Sequence, residues 1–220
     1  MEDDENLHAL LDTQDDEENE IELSPAVLIE VMEEAWLNEK FSPEILPNKI
    51  DFVELLLGQL SAMEENLENV GDRDIKKTLH LLEVDRLRFL VGSYLRMRLE
   101  KIEFYVDHIL KQENSRLENR EDLYLTEAEL TFARNFKEGI DNHFEHLMRV
   151  HPTIPVDWKN QVIQPNIHSF VFSRSKTNIE SIIIDEGNDD ETVYVNKDSQ
   201  MIISYNSVSN LVKKGDVQLV

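Results

Sequence analysis

The segment between Leu79 and Ile109 carries apolar side chains on most sides of a single helix, and few folds can accommodate that. The spacing predicts one long helix over 74–113. On a wheel advancing roughly 100° per residue, Leu87, Val91, Leu95, Ile102, Tyr105, Val84, Leu99, Val106 and Ile109 share one third of the circumference. Leu79, Leu82, Leu90, Tyr94, Met97 and Phe104 fill much of the opposite side, and Ser93, Arg96, Glu100 and Glu103 mark a narrow polar wedge. A helix on the surface of a globular domain needs a single apolar stripe. This one must be covered from several directions, by its own domain, by another subunit, or by both.

The same helix holds the chain's densest run of basic residues, "RLRFLVGSYLRMRLEKIE", with Arg86, Arg88, Arg96, Arg98 and Lys101. Arg96 falls in the polar wedge and Arg86 at its border. Arg88 and Arg98 fall inside the apolar stripe. A guanidinium buried there needs a carboxylate or carbonyl partner, because an unpaired buried charge costs several kcal/mol. The basic side chains diverge around the helix and form no single positive face. Buried or interface ion pairing is therefore the expected role of Arg88 and Arg98, with Leu87, Val91, Tyr94, Leu95, Ile102 and Tyr105 as the surrounding packing or subunit-interface residues.

The remaining elements follow from local signals. Ser24 and Pro25 make an N-cap and first turn, opening a helix that Pro43 and Pro47 end. Val53, Leu56, Leu57, Leu60, Met63 and Leu67 mark a second helix over 49–69. Thr126 and Glu129 match a capping box, opening a fourth helix that runs to Val150. Past Pro152 and Pro155 the texture changes. "SFVFSR", "IESIIID", "ETVYVN", "QMIISY" and "DVQLV" read as short strands, and "SVSNLVKKG" reads as a helix stopped by Gly215. The expected fold is mainly α with a small β-rich C-terminal domain: an acidic tail at 1–22, four main helices (one of them long) within 23–150, a linker at 151–164, and the β-rich unit at 165–220. Phe170, Phe172, Ile183, Val217 and Leu219 are its expected core or assembly residues.

Composition removes several function classes. Of 46 acidic residues against 22 basic, 15 acidic and no basic ones lie in 1–39; the net charge of −24 thus leaves −9 for the remainder. Such a chain is repelled by phosphate backbones. There is no cysteine, so disulfides, thiol nucleophiles and cysteine-bound zinc are excluded. No P-loop, Rossmann glycine pattern, nucleophile elbow or HExxH is present. His143 and His146 are spaced for one helix face with His151 nearby, but no acid in this segment is placed as a third ligand. No catalytic, cofactor or metal site is expected, and no apolar run is long enough to span a membrane. In the tail, Leu7, Leu10 and Leu11 share one helix face amid acids. That island admits two readings: a solvated tail with an apolar patch, or a short acidic helix that folds into a partner's groove.

"AWLNEKFSPEIL", "MEENL", "DRLRFLVGSYLRMRLEKIE", "LTEAELTFARNF", "SFVFSR" and the terminal "GDVQLV" occur in the order and approximate spacing of the Sld-five family of the eukaryotic GINS complex, which the chain resembles from residue 23 to its end. The resemblance implies a helical A domain followed by a small β-rich B domain, in a heterotetramer with three related Psf subunits. It implies an accessory role in the replicative helicase, alongside the Mcm ring and a RecJ-like protein. It also implies a nuclear location, contact with DNA only through partners, and no ATPase activity of its own. In some relatives an acidic-apolar peptide docks on the trimeric polymerase-alpha hub; Leu7, Leu10 and Leu11 are its candidate counterparts here. From composition alone, the alternative is a helical scaffold or adaptor of another nuclear or cytosolic assembly.

Overall fold

Ser24 accepts a hydrogen bond from the Val27 amide and Pro25 occupies the first turn of α1 (Pro25–Phe41). The computed structural model describes residues 24–68, 75–151, 162–183 and 192–220. Helix α2 (Ile50–Glu68) follows a connection containing both prolines, and α3 (Ile75–Phe104) is the 30-residue spine of the fold. Leu28 and Met32 of α1, Val53, Leu56, Leu60 and Leu67 of α2, and Val84, Leu87, Leu90, Val91 and Tyr94 of α3 interlock as one core. Burial of each such side chain contributes roughly 1.5–3 kcal/mol. Two polar contacts fix the register of this core: Trp36 Nε1 donates to Ser93 Oγ at 2.9 Å, and the Lys49 amide donates to Tyr94 Oη at 3.1 Å.

The long helix differs from expectation at its C-terminal end. Tyr105 leaves helical geometry (φ −120°, ψ 28°), and a separate α4 (Val106–Asn119) continues six residues beyond Glu113. Among the described residues the helical body therefore has five helices. Tyr105 still donates to Lys101 O and accepts from Ile109, so this is a bend rather than a break. No proline or glycine marks it. Its cause is tertiary: it directs Val106 and Ile109 into a second core with Ile45, Ile102, Leu125 and Ala133. Arg120, in the left-handed region at φ 59°, then turns the chain into α5 (Glu127–Val150). The capping box stands as the sequence predicts: the Glu129 amide donates to Thr126 Oγ1 at 3.2 Å, and the Thr126 amide donates to Glu129 Oε2 at 2.9 Å.

In the C-terminal module, β1 (Phe170–Ser175) lies between β4 (Gln200–Ser204) and β5 (Val217–Leu219), antiparallel to both. β2 (Ile179–Ile183) and β3 (Thr192–Val195) form a separate hairpin with a register shift between Ile179 and Ile182. Helix α6 (Tyr205–Lys214) ends at Gly215, whose φ of 88° suits a glycine cap. Val171, Ile182, Val195, Ile203, Tyr205, Val208, Val212, Val217 and Leu219 fill the module's core. Leu46, from the α1–α2 connection, joins them.

Three of the positions expected in the core or at an assembly surface lie outside the core. Phe170 and Phe172 are 75% and 63% exposed, and Val171, Ser173 and Ser175 point inward instead. Ile183 is exposed while Ile182 is buried. Side chains alternate with period two along a strand, so a segment apolar on both faces does not reveal its own parity. Here the parity is set by α6, which covers one face of the three-stranded sheet and leaves the other bare.

Candidate assembly surfaces

Arg98 is 1% exposed in the interior of the helical body. Its Nε and Nη2 form a fork on Glu129 at 2.7 and 3.0 Å. Nη1 donates to Glu39 Oε2 at 3.2 Å and to Leu46 O at 2.8 Å, and Nη2 also donates to Tyr124 O at 2.8 Å. These bonds use all five donors of a guanidinium and tie α3 to α1, to the α1–α2 connection, to the α4–α5 loop and to α5. Lys101, one turn on, lies 2.8 Å from each of Glu39 Oε1, Ser42 Oγ and Glu44 O, and also bonds Glu39 O. The buried Arg98 and the partly buried Lys101 therefore face two carboxylates, Glu39 and Glu129. Burial works against the Arg98 charge, but Glu129 and Glu39 outweigh it and hold its pKa above the ordinary value. For Lys101 burial dominates and the pKa is lowered, despite Glu39. Nearby, the buried Glu113 accepts from the Tyr124 and Leu125 amides and pairs with Arg116 at 2.5 Å.

Arg88 does not share this environment. Its side chain is 55% exposed and pairs with Glu64 at 2.6 Å and Asp85 at 3.5 Å. Helix α2 crosses α3 to one side of it, so the position that the wheel assigns to the apolar stripe lies at the rim of the contact. Leu87, Val91, Tyr94 and Ile102 are buried by this chain's own helices, and Leu95 and Tyr105 are half-buried. The face expected to be covered by this chain's own domain, by another subunit or by both is thus largely filled from within. The uncovered face lies elsewhere on α3: Ile75, Leu79, Leu82, Phe89 and Phe104 are all exposed. Leu79 and Phe89, at 61% and 62% exposed, stand on one stripe, with Trp36 edge-on to Phe89.

The module has a second uncovered apolar face. Phe172 pairs with Ile202 across β1 and β4, and Phe170 lies beside them. Val217 and Leu219 face the interior. A groove of about 710 Å³ opens between β3 and β4, with Tyr194 and Ile202 on its walls. Leu7, Leu10 and Leu11 lie outside the described residues. Among the described residues, no group of three His, Asp or Glu is placed to hold a metal ion, and no helix is long and apolar enough to cross a membrane.

Sequence reasoning missed Glu39, Glu44, Glu113 and Lys101 as organising residues. For Glu39 a signal existed: it continues the Leu28, Met32, Ala35 stripe of α1 at helical spacing, so an acid sits where an apolar residue belongs.

Comparison with known proteins bears on both halves. Residues 57–148 match the family model described as the GINS complex protein helical bundle domain, and residues 165–220 match that of the DNA replication complex GINS protein SLD5 C-terminus. The human DNA replication complex GINS protein SLD5 is 39% identical over 207 residues, covering 91% of this chain and 92% of the human one. The chain belongs to the SLD5 family. A Xenopus laevis SLD5 is 38% identical over 218 residues, covering 96% of this chain and 98% of its own. An Arabidopsis thaliana SLD5 is 30% identical over 201 residues, covering 87% and 90%. Similarity to SLD5 proteins thus spans the helical body and the C-terminal module together.

Proposed function

We propose that this chain is a non-catalytic scaffold subunit of the GINS assembly, packing against three Psf subunits and serving chromosomal DNA replication in the nucleus. The observation that carries this reading is the stripe of Ile75, Leu79, Leu82 and Phe89, left open along α3 by a chain whose relatives are DNA replication complex GINS proteins. Contiguous exposed apolar surface of this kind marks a protein–protein contact. The outward face of Phe170, Phe172 and Ile202 offers a second contact. The division of labour is a helical A domain at 23–150 and a B domain at 165–220, joined by 151–164; the two family matches fall on either side of that joint. In the assembly the chain braces the replicative helicase, with the Mcm ring and a RecJ-like protein as neighbours. Through Leu7, Leu10 and Leu11 its tail reaches the polymerase-alpha hub.

Co-expression with the three Psf proteins tests the core of this reading. The expected result is a monodisperse heterotetramer. A chain that stays monomeric and well behaved in their presence would overturn it. Hub binding is tested separately by Leu10→Asp with Leu11→Asp, which is expected to abolish it and leave the tetramer intact.

A further inference from the structure

Glu44 sits in the short connection between α1 and α2, and its two ends belong to different parts of the molecule. Its carbonyl oxygen accepts from Lys101 Nζ at 2.8 Å and from Ser42 Oγ at 2.8 Å, which anchors it to the helical body. Its carboxylate points the other way. One oxygen, Oε1, accepts from Tyr205 Oη at 2.9 Å and Ser209 Oγ at 3.2 Å, and pairs with Lys213 Nζ at 2.7 Å. Tyr205, Ser209 and Lys213 are spaced by four residues, so they form one face of α6. Besides the packing of Leu46 into the module and of α1 against β5, two polar contacts cross the same boundary. The buried Leu219 amide donates to Asn38 Oδ1 at 2.7 Å, and Lys176 pairs with Glu34 at 2.7 Å near the rim.

We propose that the Glu44 carboxylate is a latch: it fixes the C-terminal module in one orientation on the helical body, and losing its charge frees the module to swing without unfolding either part. The chemistry favours this position over the others. A single carboxylate collects three donors from one helix, and hydrogen bonds to an ionised group are about twice as strong as neutral ones. Its carbonyl is held by a partly buried lysine, so the anchor does not move with the module. Among the described residues, the module's core is built from nine buried residues of its own, with Leu46 from outside. The latch therefore sets orientation rather than folding. Its consequence is geometric: it holds the bare face of Phe170 and Phe172 at a fixed angle to the open stripe on α3.

The chain contains no cysteine, so two spin labels can be placed without a background. Glu138→Cys on α5 and Glu180→Cys on β2, both exposed, report the distance between the helical body and the module in the full-length chain. A narrow distance distribution is expected for the parent, at least doubling in width in Glu44→Gln, with circular dichroism and amide-exchange protection of β1 and α6 unchanged. Lys213→Gln should broaden it comparably, and the double variant no further, since both remove one interaction. Glu34→Gln should leave it narrow. A distribution in Glu44→Gln as narrow as the parent's, additive broadening in the double variant, or equal broadening from Glu34→Gln would each overturn the latch. If Glu44→Gln loses exchange protection in the module, the Lys213→Gln arm decides alone: folded and broad supports the latch, folded and narrow overturns it.

Discussion

The two halves of α3 have similar sequences and opposite environments. Around Arg98 the helix is closed off by α1, the α1–α2 connection, the α4–α5 loop and α5, and every donor of the guanidinium is used. Around Arg88 it is packed on one side only, and the arginine pairs with Glu64 at the surface while Leu79, Leu82 and Phe89 stay uncovered. Both halves mix arginine with large apolar residues. What separates them is which other segments reach that height of the helix. The closed half shows apolar and charged residues used for internal cohesion; the open half shows the same residue types left uncovered.

The comparison is most easily broken at Arg98. Arg98→Ala takes the guanidinium from Glu129, which keeps the Thr126 amide, and from the buried Glu39, which keeps Lys101; loss of one member of a buried pair costs about 3–5 kcal/mol. The urea midpoint of the chain should fall accordingly. Arg96→Ala and Arg88→Ala, at exposed positions, should stay within about 0.5 kcal/mol. If all three shifts are alike, the two halves do not differ as described.

Tyr94 lies where the halves meet. Burial is the main cause of its raised pKa, pushed up to about 12 from an ordinary 10. Between those values the folded state keeps a proton that the unfolded state has lost, so stability falls as pH rises from 10 towards 12. The loss reaches about 2–3 kcal/mol at the upper end. Tyr205, also raised, acts in the same direction. Lys49 and Lys101, lowered below 10.5, act oppositely, but only up to that pH. Urea titrations at pH 9 to 12 should therefore show a decline once the pH passes about 10.5, and Tyr94→Phe should lessen it, with Tyr205 supplying the rest.

The open half is sharpened by Leu79→Glu and Phe89→Glu. Each should weaken association with the Psf proteins by on the order of 2 kcal/mol, read as lost tetramer yield on size exclusion, with the chain's own urea midpoint nearly unchanged. A midpoint that falls as far as in Arg98→Ala would place these residues in the internal core instead. The smallest effect is expected at the start of α5. Thr126→Ala removes one half of the capping box and should cost about 1 kcal/mol, seen as faster amide exchange in the first turn of that helix.

Much of the scaffold was legible because its signals are local. Ser24 and Pro25 open α1, Thr126 and Glu129 open α5, and Gly215 closes α6, each by chemistry confined to a few residues. The strand segments were legible for the same reason. The inward parity of β1 was not, because Phe170, Val171 and Phe172 are all apolar and only the distant α6 decides which of them is covered. The bend at Tyr105 left no breaker in the sequence. The placement of Arg98 in an apolar stripe called for carboxylate partners, yet their identity was hidden among 46 acidic side chains. The exposure of Arg88 was hidden by the same helical wheel: a wheel records direction around an axis and says nothing of how far along that axis a neighbour extends.

The Arg98 cluster also sets an order of events during synthesis. Glu39 precedes Arg98 by 59 residues and Glu129 follows it by 31. As the chain leaves a ribosome, the guanidinium emerges with one carboxylate already available and the other still to be translated. Its enclosure, and with it the seating of α5 on the body, waits until the first turn of α5 has cleared the exit tunnel. Until then the nascent helical body carries a half-matched cation at its centre.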